Sequence, residues 1–164
     1  LAVERFDYEP KDIAIMFLMI GFTLILAQGV FVRRFVGPLG EKPLALMGIL
    51  IGIVAFAMIS LIHQEAWFYA SLFLMSTGVA FISPTLTALT SLHSKETDQG
   101  FHLGVFRSSG SMARACGPLL AGLIYFAFGS SFAYLSGAIF LLVPLIFLWG
   151  VPQPNMKKTE KTNG

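Results

Sequence analysis

Charged residues are scarce in this sequence, and cysteine is almost absent. Of its 164 residues only 12% are charged, whereas soluble domains carry about 25%. The single cysteine, Cys116, excludes an internal disulfide framework and a cysteine metal site. The histidines are too scattered for a metal-ligand cluster and no nucleophile–base pair is present, so we expect neither a metal, nor another cofactor, nor an enzyme. The net charge of +2 is too small to indicate a nucleic-acid partner.

Long apolar segments are what the sequence has in excess. Hydrophobic residues make up 55% of the chain, and the mean hydropathy is +0.75. About 20 apolar residues suffice for a helix to cross a bilayer. We therefore predict an all-α membrane protein with a bundle of five transmembrane helices and a polar cytoplasmic tail. The predicted spans cover residues 13–32, 44–62, 66–92, 103–128 and 132–149, and the tail covers residues 151–164.

Lysine and arginine orient the predicted spans. Arg33, Arg34 and Lys42 lie in a turn-rich segment, residues 33–43, that reads as a loop. Because cytoplasmic loops carry the excess of positive residues, we expect this loop and the tail in the cytoplasm and Leu1 outside. The multi-pass protein is expected in the plasma membrane. Arg33 and Arg34 are either this orientation signal alone or a gate that pairs with acidic groups elsewhere.

The fourth run carries charge inside an apolar segment. Arg107 and Arg114 stand seven positions apart, and so on one face of a helix. A charge near the bilayer centre costs roughly 2.5–3.5 kcal/mol even on the lenient insertion scale. Arg107 is close enough to the inner boundary to reach the headgroups, whereas Arg114 lies about 10 Å deeper. Arg114 is therefore either buried against backbone carbonyls or part of a functional path.

The same run holds small residues at four-residue steps, followed by a proline. A stripe of this kind lets another helix approach closely, and it consists of Ser109, Ala113, Gly117 and Ala121. Pro118 removes one backbone hydrogen bond at a point where the helix can bend. We predict a bend at Gly117 and Pro118 that lets this span rock against a partner.

The third run has a polar face. Its hydroxyls recur at three- and four-residue spacing, and the candidates for a substrate-cavity wall are Ser76, Ser83, Thr87 and Thr90. The alternative is that these hydroxyls bond carbonyls of their own helix four residues earlier. The second and fifth runs lack such a face and are predicted to be peripheral and lipid-facing. No Asp or Glu lies inside any run, so a carboxylate for proton coupling would come from outside this sequence.

Two segments resemble a family of membrane transporters. Gly29-Val-Phe-Val-Arg33-Arg34 through Gly40-Glu41-Lys42 is similar to the short cytoplasmic loop of the major facilitator superfamily. Residues 104–122 resemble the family's eleventh helix. Within them, Ala113-x-x-x-Gly117-Pro118-x-x-Ala121-Gly122 resembles the antiporter motif of the fifth helix. More narrowly, the sequence is similar to the tetracycline-transporter-like group of drug:proton antiporters.

The resemblance implies both a fold and an activity. The five runs would be helices eight to twelve, part of the six-helix carboxyl-terminal half of a twelve-helix fold. Helices two to six are disfavoured because the third run lacks an arginine and the chain ends in a lysine tail. The implied activity is secondary transport of a small organic solute or drug by alternating access, coupled to protons.

The implied partners are the lipid bilayer, the solute and an N-terminal half that this sequence does not contain. Arg114 would pair with the solute or with an acid of that half. The interface and gating residues would be Arg33, Arg34, Arg107, Arg114, Gly117 and Pro118. The alternative class is a non-transporting five-span scaffold whose small-residue stripes hold a complex together.

Overall fold

The computed structural model describes residues 2–95 and 97–152, and these residues are mostly helical. The helices are α1 (Ala2–Phe6), α2 (Pro10–Leu26), α3 (Arg33–Leu39), α4 (Glu41–Leu61), α5 (Glu65–Leu92), α6 (Gln99–Phe128) and α7 (Ser130–Gly150). A π-helical turn, Ala27–Val32, joins α2 and α3 into one helical unit, Pro10–Leu39.

Five helical units in the described part of the chain are long and apolar enough to cross a membrane: Pro10–Leu39 and α4 to α7. The predicted all-α class is confirmed. The cytoplasmic tail is predicted to begin at residue 151, and its residues from 153 onward lie outside the described part of the chain. Following the predicted orientation, we call the end of the bundle that holds Arg5 the outer end and the end that holds Arg33 the inner end.

The first helical unit begins as the sequence indicates but ends later than predicted. Pro10 occupies the first helical position, and the backbone N–H of Glu9 donates to Asp12 Oδ2 at 3.0 Å. At the other end, the loop predicted over residues 33–43 is wrong. Helix α3 continues through Pro38, because Val36 packs against the core and the N–H of Gly40 closes the last turn on the Val36 carbonyl at 2.8 Å. Gly40 alone makes the turn, at φ +82°.

Helix α4 is the best-packed of the candidate membrane helices, yet Met47, Leu50 and Val54 stay exposed along one face, and the peripheral, lipid-facing position predicted for the second run stays a prediction. The helix lies against both α5 and α7, and 44% of its most apolar window is buried. Gly48 and Gly78 allow this packing: a Cβ added at Gly78 would lie 2.8 Å from the Gly48 carbonyl oxygen. Small residues let helix backbones approach in lipid, where water does not drive association.

A short helix that the sequence did not reveal ties the outer ends of three helices together. Arg5 Nη1, from α1, donates to the carbonyl of Ile62 at 2.8 Å, just past the end of α4. Arg5 Nη2 donates to Ser131 Oγ at 2.5 Å and to Ser130 Oγ at 3.3 Å, in the first turn of α7. Because the guanidinium meets a helix C-terminal carbonyl, charge and hydrogen bonding act together.

Two further contacts complete this outer clasp, by which we mean α1 and the side chains it holds. The Tyr125 hydroxyl, near the outer end of α6, donates to the Glu4 carboxylate. Tyr8 is buried against Phe68, with ring centroids 6.3 Å apart. Burial raises the pKa of Tyr8 well above its ordinary value, and the neighbouring Tyr69 and Glu65 raise it further.

Replacing Gly78 with alanine should destabilise the protein. The new methyl group would meet the Gly48 carbonyl, and overpacking of this kind costs typically 1–3 kcal/mol, so roughly that loss is expected. The measurement is the thermal midpoint of the detergent-solubilised full-length protein. Gly21→Ala is the matched control, because a Cβ there meets nothing within 4 Å and alanine favours helix. Equal midpoints for the two variants would contradict the close α4–α5 contact.

Replacing Arg5 with glutamine should also lower the thermal midpoint. Glutamine removes the charge from the contact with the Ile62 carbonyl, and a hydrogen bond to a charged group contributes about 1.5–3 kcal/mol. Arg33→Gln removes the same charge from an exposed position. It should change the free energy of unfolding by less than about 0.5 kcal/mol and so leave the thermal midpoint nearly unchanged. A midpoint for Arg5→Gln that matches Arg33→Gln would show that the clasp adds no stability.

Candidate functional site

The four hydroxyl residues of α5 do not form one continuous surface. Ser76 is 2% exposed and lies inside the packed bundle, whereas Ser83 is exposed. Thr87 and Thr90 are half-buried and continue the face of Ser83 toward the inner end. The single polar wall predicted from spacing is therefore divided, since the bundle buries Ser76 and leaves Ser83 exposed.

Three of these hydroxyls donate to their own helix, as the alternative interpretation predicted. Ser76 Oγ donates to the Leu72 carbonyl at 2.8 Å, Thr87 Oγ1 to Ser83 at 2.9 Å and Thr90 Oγ1 to Leu86 at 2.8 Å. The donor of each group is thus used, and only lone pairs remain for another molecule. Ser83 Oγ has no hydrogen-bond partner among the described residues, so it keeps both donor and acceptor.

Arg114 lies at the middle of the thirty-residue α6 and is exposed. Its Nη2 donates to Ser111 Oγ at 3.0 Å, and Ser111 Oγ donates in turn to the Arg107 carbonyl at 3.0 Å. The guanidinium lies over Gly110, where an added Cβ would come within 3.5 Å of Nη1. Ser111 therefore fixes the direction of the cation, and the sequence carried a signal for this in the three-residue spacing.

The charge of Arg114 has no acidic partner within residues 2–95 and 97–152. Burial against backbone carbonyls, one of the two interpretations from sequence, is not observed in this part of the chain, since α6 has no buried residue. A guanidinium carries five N–H donors, and Ser111 accepts one of them. No described residue accepts the remaining donors, and hydrocarbon could not accept them either.

The small-residue stripe of α6 is likewise open on its outward side. A Cβ added at Gly117 meets nothing within 4 Å, and α6 continues through Pro118 to Phe128. The bend at Gly117 and Pro118 stays a prediction. Gly117 lines a cavity of about 480 Å³ between α6 and α7, whose wall is apolar apart from tyrosine hydroxyls and Ser136. Ser136 Oγ already donates to the Ala133 carbonyl at 2.7 Å, so this cavity offers little to a charged solute.

At the inner end, Lys42 rather than Arg33 or Arg34 joins two helices. Lys42 Nζ donates to the carbonyls of Trp149 at 2.8 Å and Val151 at 2.5 Å, and so joins α4 to the end of α7. A cation at a helix C-terminus is favourable there. Arg33 and Arg34 are exposed and have no acidic partner among the residues described here, so the proposed gating role for them stays a prediction.

The inner end also holds His93 between two carbonyl oxygens. Its Nδ1 lies 3.0 Å from the Leu89 carbonyl and its Nε2 lies 3.2 Å from the Pro152 carbonyl. Across residues 2–95 and 97–152, no group of three His, Cys, Asp or Glu side chains comes together in a way that holds a metal ion.

Five apolar helices, one of which carries at its middle a cation without an acidic partner among the described residues, define a polytopic membrane protein. The sequence model of the Major Facilitator Superfamily matches residues 4–164, and the chain belongs to that family. The superfamily is a family of membrane transporters. Membership places the protein in a membrane as an integral, multi-pass protein.

Similar proteins agree with this assignment. The chain is 29% identical to mouse major facilitator superfamily domain-containing protein 10, over 98% of this chain and 35% of that protein. The crystal structure of the human organic anion transporter MFSD10 (TETRAN) superposes with a TM-score of 0.84 at 28% identity, over 90% of this chain and 34% of that one. The Escherichia coli class B tetracycline resistance protein is 30% identical over 74% of this chain. The chain spans about a third of the length of the MFSD10 relatives.

The division of the α5 hydroxyls can be tested by thiol labelling of the full-length protein. In a Cys116→Ala background, a cysteine at position 83 should react with a water-soluble maleimide, because Ser83 is exposed. A cysteine at position 76 should be unreactive, because that side chain is 2% exposed. Equal labelling rates at the two positions would show that the four hydroxyls share one environment after all.

Proposed function

We propose that this chain is the carboxyl-terminal part of a secondary transporter that moves a small organic solute by alternating access. The observation that carries the proposal is Arg114. It is an exposed cation at the middle of a membrane-spanning helix, held in one direction by Ser111 and without an acidic partner in the described residues. A charge in that position is kept where it faces protein or a water-filled path.

The solute class that fits best is an organic anion. No Asp or Glu lies inside any of the five predicted apolar runs, and Asp12, Glu41 and Glu65 lie in the first turns of their helices. The charge within the apolar part of this chain is therefore positive. A guanidinium binds a carboxylate or phosphate with two parallel hydrogen bonds. The related human protein is itself described as an organic anion transporter, which supports the same class here.

In this proposal, Ser83, Thr87 and Thr90 line the cavity and Ser76 supports it from inside the bundle. Arg33, Arg34 and Arg107 act at the inner gate, and the Gly117–Pro118 step allows α6 to move. The absent N-terminal part of the protein covers the open stripe of α6 and the apolar cavity beside it. The relatives' greater length supports such a part.

The finer family assignment belongs to the same proposal. We place the protein among proton-coupled drug antiporters of the tetracycline-transporter-like group, acting in the plasma membrane, with multidrug efflux as its role. The similarity to the tetracycline resistance protein supports the group. Because the apolar runs of this chain lack a carboxylate, the titrating group for proton coupling would lie in the N-terminal part.

Removing the charge of Arg114 should abolish selection for anions. In vesicles that contain the full-length protein, with an imposed pH gradient, Arg114→Gln should slow uptake of 6-carboxyfluorescein by about tenfold or more. The reason is that a hydrogen bond to a charged group contributes about 1.5–3 kcal/mol. Arg114→Lys keeps the charge but loses the two parallel hydrogen bonds, so its uptake rate should lie between those of Arg114→Gln and the wild type.

Lys11→Gln is the matched control, since it removes one exposed positive charge at the outer end of α2. It should leave uptake unchanged. A cationic dye, rhodamine 123, tests the sign of the charge preference. Unchanged carboxyfluorescein uptake in Arg114→Gln, or faster uptake of the cation than of the anion by the wild type, would overturn the assignment of an anion. Uptake of neither dye would favour the non-transporting scaffold.

A further inference from the structure

The π-helical turn Ala27–Val32 interrupts the first membrane helix, Pro10–Leu39, and carries a polar side chain that the proposed function leaves unused. Gln28 is exposed within this turn. Turns of the π type are rare and occur frequently at functional sites. An amide side chain exposed to hydrocarbon at this depth would lack hydrogen-bond partners, as an exposed backbone N–H or C=O group would.

Packing holds one side of the turn in place. Ala27 and Val32 are 2% and 8% exposed, and they belong to a core cluster with Ala80 and Phe81 of α5. This contact fixes which side of the turn faces α5. It therefore also fixes where the neighbouring positions point.

The side on which Gln28 lies follows from helix geometry. Helices α2 and α5 both run from the outer to the inner end, and each residue advances an α-helix by about 100° and a π-helical turn by somewhat less. On α5, α4 packs at Gly78 and Phe81, on one flank of the contact with the turn, whereas Ser83 and Thr87 lie on the other flank. On the turn, the position after Ala27 points to the flank away from α4. Gln28 thus lies on the same side of the bundle as Ser83.

Gln28 and Ser83 also lie at similar depth. Gln28 is eleven residues before Leu39, or about 16 Å from the inner end, and Ser83 is nine residues before Leu92, or about 14 Å from it. Position around the bundle and depth within it therefore coincide. Leu26, by contrast, precedes Ala27 and points to the flank toward α4.

We propose that Gln28, presented by the π-helical turn, lines the solute path beside Ser83 and hydrogen-bonds the transported organic anion through its amide N–H groups. The inference rests on the proposed function and deepens it, since it adds a neutral donor to the charge of Arg114. An amide donates two N–H groups and so can bind an anion oxygen without adding a second charge.

Transport kinetics of the full-length protein provide the first test. Gln28→Leu should raise the KM for 6-carboxyfluorescein about two- to tenfold with little change in maximal rate, as loss of one neutral hydrogen bond predicts. Gln28→Glu should raise it further, because a carboxylate repels the anion, and Gln28→Asn should restore part of the affinity. Leu26→Ala is the matched control and should leave KM unchanged. A KM for both Gln28→Leu and Gln28→Glu equal to that of the wild type overturns the inference.

Thiol labelling provides a test that does not depend on transport. In a Cys116→Ala background, Gln28→Cys should react with a water-soluble maleimide faster than Leu26→Cys does, and 6-carboxyfluorescein should slow the reaction. Labelling no faster than at Leu26, or labelling that the dye does not slow in a wild type that transports it, overturns the inference. If the wild type moves no dye, the proposed function fails. In that case, faster labelling at position 28 than at position 26 still supports a polar path beside Gln28, and equal labelling at the two positions rules that path out.

Discussion

A bilayer core offers no hydrogen-bond partners, and this constraint governs which polar groups the five membrane helices can keep. The hydroxyls of Ser76, Thr87 and Thr90 satisfy it locally, because each donates to a carbonyl one turn earlier. Arg114 does not satisfy it locally, since Ser111 accepts one of its donors and no acid is near it in the described residues. The hydroxyl donors are thus satisfied within their own helix, whereas the guanidinium of Arg114 needs acceptors from another molecule or another part of the protein.

Packing among the helices is uneven, and this unevenness has a physical cause. Gly48 and Gly78 bring the backbones of α4 and α5 into contact, so that this pair forms the core of the described bundle. Helix α6 has small residues of the same kind at Ala113 and Gly117, yet none of its residues is buried. In lipid, helices associate through close backbone approach. The two stripes therefore differ because only the α4–α5 pair brings glycine backbones into close contact within the described residues.

The sequence was sufficient for the membrane helices but not for their packing. Hydropathy reports on the length of an apolar run, and the five runs all became helices. The turn residues Gly37 and Pro38 suggested a loop, but helix α3 runs through them, because the packing of Val36 is a tertiary effect that local propensity does not contain. The apolar run of α4 lacks a polar face and was assigned to the lipid surface. Its Gly48-x-x-x-Gly52 pattern was the better indicator of packing, because small residues bring helix backbones together in a membrane.

The candidate site was predictable only in part, and for a similar reason. Spacing placed Ser76, Ser83, Thr87 and Thr90 on one face of α5, which is correct for a helix taken alone. The neighbouring helices then divide that face, since Ser76 becomes buried and Ser83 stays exposed. The Arg5 contacts join residues more than fifty positions apart in sequence, so no local pattern could have revealed them.

The balance of donors and acceptors bears directly on which solute such a path could hold. The threonine hydroxyls have used their donors within α5 and present acceptors, which alone would favour a solute rich in N–H groups. Arg114, Ser83 and Gln28 reverse this balance, because each retains N–H or O–H donors that no described residue accepts in full. A carboxylate or phosphate offers acceptors only. Under the proposed function, the donor excess favours an anion through hydrogen bonding as well as through charge. Arg114 contributes to both preferences, whereas Ser83 and Gln28 contribute hydrogen bonding alone.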